Sequence, residues 1–532
     1  MHKTAVGYAI GKLMQILGGL LLVPLGIAIY DNFHEPLIEM LLFTEVFGFL
    51  FAIFFALLAG TVFIYIFKGG KKLQGVKEGY AIVTFGWIGL TFIGSIPILF
   101  WFMSSDPFAW QNFFLHFTDA YFEIMSGFTT TGSTIMSDIE SAPRAILFLR
   151  ALTHWLGGMG IITLALAIFP AMGVSGYQMF KGEVPGPTKE RLQPRLAQTA
   201  SILWGVYVLL SVAETVLLMI AGMDLFDAVC HTFATMATGG FSTENSSIAA
   251  YNSDLIEWIV IIFMYFAGIN FLLHFKALRG NLNSLIKNKE FLFYTGVIVS
   301  TIIIVTIVLY FDGLKPANEA YEHFRYNKPT VEQFTEHYDE QAANFDSFND
   351  IFRSAAFQTL AIVTTTGFAT ADFDLWPDFL RVLLVILMFF GGCAGSTAGG
   401  MKMIRIMLVL KFAVNELKKM TQPRLVSLVK IGKTSIEDKT LMNVVAFFIL
   451  FILLFIMVAA LMTLFVPDMT TAITCSIATI GNIGPGLAGV GSIENFGWIP
   501  IPGKWLLIFS MLLGRLEIFT VLIILRPHVW RK

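Results

Sequence analysis

GFTTTGST, residues 127–134, makes a poor membrane helix and a poor core strand, yet it lies in a chain that is 56% hydrophobic. The pattern returns. Anchored on Gly132, it recurs at Gly240 in ATGGFST, at Gly367 in TTTGFAT and at Gly484 in GNIGPGL. Thirteen residues before each glycine stand Asp119, Asp227, Ser354 and Thr471, each followed by alanine. Asp, Ser and Thr cap helix N-termini, so each copy reads as a short helix that starts at this residue and stops before the glycine. Irregular backbone at membrane depth is tolerated where it is buried in protein or lines a water-filled path. Four such loops therefore predict a ring around one pore, their carbonyls replacing the water shell of a cation. Glycine suits a loop that aims several carbonyls one way, because a Cβ would obstruct the backbone. The partly negative C-terminal ends of the short helices favour the same charge. A packing role for Thr and Gly between helices is the competing reading of a single copy.

The 532 residues include 52 Phe, and only 14% are charged, against about a quarter in soluble domains. Mean hydropathy is +0.73. Ten apolar runs are long enough to span a bilayer: 8–30, 40–67, 79–103, 145–171, 199–222, 255–278, 291–311, 379–401, 441–466 and 504–525. The first resembles a signal peptide but lacks a small-residue cleavage site, and it reads as a span that stays. Net charge is −2, which gives no reason to expect nucleic acid. Cys230, Cys393 and Cys475 form no metal or redox spacing.

Lysine and arginine sort the connections. KGGKKLQGVKE (68–78), KGEVPGPTKERLQPR (181–195), RGNLNSLIKNKE (279–290), segment 402–433 and RPHVWRK (526–532) are basic. DNFHE (31–35), SSDPFAWQN (104–112) and STENSSIAAYNSD (242–254) are not. The positive-inside rule places both termini in the cytoplasm and all four short helices on the outer side. The expected fold is an all-α polytopic membrane protein. It has an N-terminal helix pair (1–78), then four covalently linked span–pore helix–span units at 79–195, 196–290, 291–433 and 434–532.

With these motifs, and with RALTHWLGGMGI (150–161), GGCAGSTAGGMKMIR (391–405) and GRLEIFT (514–520), the chain resembles the Trk/Ktr/HKT superfamily of potassium transporters. It is most similar to the Trk-type membrane subunit of bacterial potassium uptake systems, over essentially its whole length. The resemblance implies one pore per chain, a homodimer in the inner membrane, and a cytoplasmic nucleotide-binding partner of the TrkA kind. It implies a potassium-binding filter of Thr130, Thr131, Gly132 and Ser133; Thr238, Gly239, Gly240 and Phe241; Thr365, Thr366, Gly367 and Phe368; and Asn482, Ile483, Gly484 and Pro485. Glycine in all four copies implies potassium rather than sodium, and no organic cofactor is expected.

Five glycines in GGCAGSTAGG (391–400) are a severe helix penalty, about 1 kcal/mol each against alanine. The returning span of the third unit should open there into a loop. By resemblance this is a gate beneath the filter, formed by Gly391, Gly392, Gly395, Ser396, Thr397, Gly399 and Gly400 and held closed by Arg515. A local pair with Glu517 or a helix-end contact is the other reading of Arg515. Lys402 and Arg405 are candidates for coupling to the partner, or else ordinary positive-inside anchors. Glu123 should fasten the first loop by hydrogen bonds, with direct ion ligation the alternative, and His116, His154 and His231 read as packing residues rather than metal ligands. Acidic residues of 312–350, among them Asp339, Glu340, Asp346 and Asp350, either attract cations to the mouth or are simply solvated. Channel-like flux is the leading reading, and coupling of potassium entry to protons or sodium is the alternative. Glu123, Glu214 and Glu517 are among the few carboxylates within spans. No nucleophile–base pair, HExxH motif or carboxylate dyad suggests an enzyme.

Overall fold

The computed structural model describes residues 2–33, 44–70, 76–106, 108–160, 196–317, 331–343, 345, 347–422, 429–432 and 434–530. They are almost entirely helical; one two-residue antiparallel pair, Lys430–Ile431 with Thr434–Ser435, lies at the junction of the third and fourth units. Among the described residues, six helices are long and apolar enough to cross a membrane, and a bent pair makes a seventh candidate. The chain is a multi-pass membrane protein. The basic segment 181–195, Asp346 and the end of the expected span 145–171 lie outside the described residues.

The N-terminal helices Lys3–Leu20 and Thr44–Ile66 pack on each other and on the outgoing helix of the first unit, Val76–Ser105. The outgoing helices of the other units are Leu196–Ile220, Lys289–Asp312 and Asp438–Met462, each unbroken. The short helices are Phe113–Phe128, Leu225–Ala237, Phe348–Val363 and Met469–Ile480. Each packs against its own outgoing helix. The second and third also pack against the returning helix of the unit before, and the first packs against that of the fourth, which closes the circle.

The caps differ from expectation. Asn112 precedes the first short helix without a side-chain cap bond. Asp224, Ser347 and Asp468 cap the other three, accepting from Phe226, Asp350 and Thr471 amides respectively. Each helix therefore starts upstream of the repeated Asp/Ser/Thr-Ala pair, and in three of the four the polar residue bonds a neighbouring segment. Asp119 accepts from Lys504 Nζ at 2.6 Å, Asp227 from Thr243 Oγ1 at 2.8 Å, and Thr471 Oγ1 from the Gly489 amide at 3.0 Å. In the first, second and fourth units the repeat marks where the helix is tied to a neighbouring segment, and in none does it mark where the helix begins.

All four returning helices are interrupted, where the sequence showed only the third. Arg144–Trp155 runs into a π turn at Leu156–Gly160. Asp254–Ala267 meets Phe271–Leu278 at 102°. Asp378–Leu387 is separated from Met403–Thr421 by the expected loop. Ile501–Arg515 stops before Phe519–Ile524, with Glu517 at φ 54° and Ile518 at φ 26°, so 504–525 is not one continuous span. Gly157-Gly158, Gly268 and Gly514 mark the other three breaks in the sequence.

Candidate functional site

The four short helices end alike. Thr130, Thr238, Thr365 and Asn482 adopt left-handed φ of 50°, 54°, 58° and 53°. The amides of the residues after them, Thr131, Gly239, Thr366 and Ile483, reach back to the carbonyls of Ser126, Ala234, Ala361 and Ala478 at 2.8–2.9 Å. The amides of the left-handed residues themselves reach Gly127, Thr235, Ile362 and Thr479 at 2.9–3.2 Å. This paired bonding is the Schellman helix end, which glycine usually occupies. A β-branched threonine there is strained, by about 1–3 kcal/mol, and such strain concentrates at functional sites.

Two residues on, Gly132, Gly240, Gly367 and Gly484 have φ of 82°, 81°, 79° and 104°. The residue between each pair has negative φ. A Cβ on Gly132 would strike the Gly239 carbonyl oxygen, one on Gly240 that of Thr366, and one on Gly367 that of Ile483. A Cβ on Gly484 would come within 2.8 Å of the Thr131 carbonyl oxygen. Unit one thus abuts two, two abuts three, three abuts four, and four abuts one. The sixteen residues singled out from sequence are brought together in this closed ring.

Side chains fasten it. Asn482 Nδ2 donates to Thr131 Oγ1 (2.9 Å) and the Met511 carbonyl (3.0 Å), and Ser133 Oγ donates to the Gly484 carbonyl (3.0 Å). Thr130 Oγ1 and Asn482 Oδ1 are buried with no hydrogen-bond partner among the described residues. Glu123 holds the first loop as expected: its carboxylate accepts from Thr134 Oγ1 and the Ile135 amide, each at 2.9 Å. Sequence reasoning missed its partner Arg150, whose Nε donates to Glu123 at 2.8 Å with both side chains buried. An arginine inside an apolar run was the signal. The three histidines are all bonded: His116 to Asp106, His154 to Gly127 and Phe241, and His231 to Asp227 and Ser242. No group of residues suited to a resident metal ion occurs among the described residues.

The 388–402 loop lies against the inner ends of three short helices. Gly399 N donates to Thr365 Oγ1 (2.6 Å), Gly400 N to the Gly481 carbonyl (2.8 Å), and Thr397 Oγ1 to the Met236 carbonyl (2.9 Å). Gly391 N pairs with the Met401 carbonyl (2.8 Å), pinching the loop's neck. The Gly392 carbonyl accepts from Met403 N, Gly395 at φ 80° offers its carbonyl to Phe271 N, and Ser396 Oγ donates within the loop to Cys393. Arg515 donates to the Thr397 carbonyl (2.8 Å) and to the carbonyls of Gly157 (2.5 Å) and Gly158 (3.0 Å) at the first unit's π turn. Glu517 pairs instead with Arg405, at 2.7 Å. Lys402 is buried and donates to the Ala398 carbonyl, so it faces the loop and not a free surface. Glu290, also unforeseen, accepts from the Ala394 (2.7 Å) and Ile404 (3.2 Å) amides at the two sides of the loop. In the sequence it stood among basic anchors.

Four helix-and-loop units closing on one ring define an all-α, multi-pass membrane protein built on a repeated unit. Residues 46–531 match the TrkH family model, described as cation transport protein. The chain is 37% identical to the Trk system potassium uptake protein TrkH of Salmonella typhimurium over 537 residues, covering all of both chains. It is 32% identical to TrkG of Escherichia coli K12 over all of this chain and 99% of that one. The crystal structure of the potassium transporter TrkH from Vibrio parahaemolyticus is similar with a TM-score of 0.80 and 33% identity, over all of both chains. The chain belongs to the TrkH family.

Proposed function

We propose that the chain takes up potassium across the bacterial inner membrane through a channel-like pore. The four loops form its filter, and the 388–402 loop is a gate beneath it. The observation that carries this reading is the closed ring in which each unit's glycine abuts the next unit's carbonyl. Rigid carbonyls suit a dehydrated cation. The names of the relatives support potassium as the ion. The loop's bonds to three short helices, with Arg515 joining it to the first unit, support a closed gate. Glu123 and Glu517 are each held by an arginine, whereas Glu214 is buried with neither oxygen hydrogen-bonded among the described residues, so the uptake experiment and not the carboxylates separates uncoupled flux from a titrating path.

In this reading both termini are cytoplasmic, the protein works as a homodimer, and a TrkA-type nucleotide-binding subunit acts on the gate. Lys402 and Arg405 sit where the loop joins helix Met403–Thr421, so they transmit the partner's action inward. The test is rubidium tracer uptake into proteoliposomes of purified protein, with excess sodium outside and Gly132→Ser in parallel. Gradient-driven uptake that resists sodium in the native protein and loses that resistance in Gly132→Ser supports a potassium filter. Uptake that requires a sodium or proton gradient overturns uncoupled flux.

A further inference from the structure

His154 is fully buried in the first returning helix, between two of the four loops. Its Nδ1 lies 2.8 Å from the Gly127 carbonyl, at the end of the first short helix. Its Nε2 accepts from the Phe241 amide of the second loop at 3.2 Å. A carbonyl can only accept and an amide can only donate. The two partners therefore assign one neutral tautomer, protonated at Nδ1 and bare at Nε2. The ring stacks on Phe241 with centroids 4.1 Å apart, and the Arg150 guanidinium lies over the Phe241 ring at 4.2 Å. Arg150 Nη1 also donates to the Ser242 carbonyl at 3.0 Å. A Cβ on Gly239 would come within 2.5 Å of the imidazole, so the second loop is shaped to receive this ring.

The chain has no cis peptide among the described residues. In a trans peptide the N–H and the preceding C=O point in opposite directions. An amide of Phe241 turned out toward His154 therefore turns the Gly240 carbonyl the other way, into the ring. Unit four needs another device, because Pro485 stands at the corresponding position and has no N–H.

We infer that His154 is a positioning residue for ion selection, whose bare Nε2 fixes the direction of the Gly240 carbonyl while its Nδ1–H anchors it to the first short helix. This rests on the reading of the ring as a filter. His154→Phe keeps the stacked ring and removes both hydrogen bonds. His154→Gln supplies an amide oxygen and an NH2 group that can replace them in part. Rubidium uptake under sodium competition is the readout, with Gly132→Ser as the control on the filter itself. The expected result is a several-fold fall in rubidium-over-sodium preference in His154→Phe, with flux persisting, and partial recovery in His154→Gln. A folded His154→Phe protein with native preference overturns the inference while the filter stands, provided Gly132→Ser alters preference. Native preference in both variants defeats the filter reading instead.

A second measurement needs no variant. Nitrogen-15 spectra of histidine-labelled native protein distinguish the two tautomers, and proximity to carbon-13 in the Gly127 carbonyl assigns the His154 signal. An Nδ1–H tautomer is expected; an Nε2–H or doubly protonated ring overturns the inference.

Discussion

The carboxylate of Glu290 and the backbone amide of Ala394 lie 2.7 Å apart, bridging 104 positions of sequence. The same oxygen accepts from Ile404, so one side chain at the start of an unbroken helix holds both sides of the 388–402 loop. A buried amide left without an acceptor costs about 1–3 kcal/mol.

Glu290→Ala orphans both amides of the loop. If that loop is the gate, closure is weakened and basal rubidium uptake rises in proteoliposomes without a partner protein. Glu290→Gln retains an acceptor oxygen in nearly the same place and should stay close to native uptake. A Glu290→Ala protein that loses thermal stability without gaining uptake would mean that Glu290 braces the fold and does not restrain the pore.

Arg515 makes three hydrogen bonds to backbone carbonyls, on the loop and on the first unit's π turn. Hydrogen bonds from charged donors contribute about 1.5–3 kcal/mol each. If the 388–402 loop is a gate that these bonds hold shut, losing the worth of one of them from the shut state alone shifts the open population by about one to two decades. Arg515→Met should therefore raise basal uptake at least tenfold. Because Glu517 is paired with Arg405, Glu517→Gln should change uptake less. Equal effects of the two substitutions would contradict the assignment of Arg515 to the loop.

The four glycines are not equivalent. At Gly367 a Cβ would overlap the Ile483 carbonyl oxygen and also come within 2.8 Å of Pro485 Cδ, whereas at Gly484 the nearest atom is the Thr131 oxygen at 2.8 Å. Serine at either position is strained by positive φ. Gly367→Ser should therefore reduce rubidium-over-sodium preference more than Gly484→Ser does. A larger effect at Gly484 would show that the steric ranking around the ring does not govern ion choice.

The repeat was legible because four glycines and four left-handed residues impose a local sequence requirement: TTTG and GNIG had to look unlike a helix. The loop of the third unit was legible for the same reason. The caps were misread because Asp119 and Asp227 are cap-type residues engaged in tertiary bonds, and a side chain's partner is not written in its neighbours. The breaks at Gly157-Gly158, Gly268 and Gly514 were obscured because one or two glycines among apolar residues also occur in continuous helices. Arg150, His154 and Glu290 act across long sequence separations. Only an out-of-place charge signalled the first, and nothing local signalled the other two.

Lys504 is almost wholly buried and pairs with Asp119 at 2.6 Å, while Trp505 Nε1 donates to Thr118 at 3.2 Å. These bonds join the last unit to the first. Removing one member of a buried pair leaves an uncompensated charge, at a cost of about 3–5 kcal/mol. Lys504→Met should destabilise strongly, and adding Asp119→Leu should restore much of the loss, read as thermal unfolding of detergent-purified protein. Additive losses in the double variant would exclude coupling between the two residues.

Helix Val331–Ala343 is fastened in part through His337, whose Nε2 lies 3.3 Å from Asp372. Asp372 accepts from Ser492, and Asp374 accepts from the Ala488 amide and from Arg381. Arg381 and Lys315 both reach Asp378, and Glu340 adds negative charge near His337. The hydrogen bond to Asp372 raises the His337 pKa. Burial, then the neighbouring Asp372 and Asp374, pushes Glu494 up to about 7. Both shifts have the same sign. Each favours the protonated, folded state at low pH, and that stabilisation is lost as pH rises through the folded pKa. Above neutrality His337 loses the charge that pairs with Asp372, and Glu494 adds one that repels it. The helix should therefore be held more firmly at pH 6 than at pH 8. Hydrogen exchange of residues 331–343, corrected for intrinsic rates, should show greater protection at pH 6, and His337→Gln should reduce the difference. Equal protection of the native protein at both values would refute the clamp.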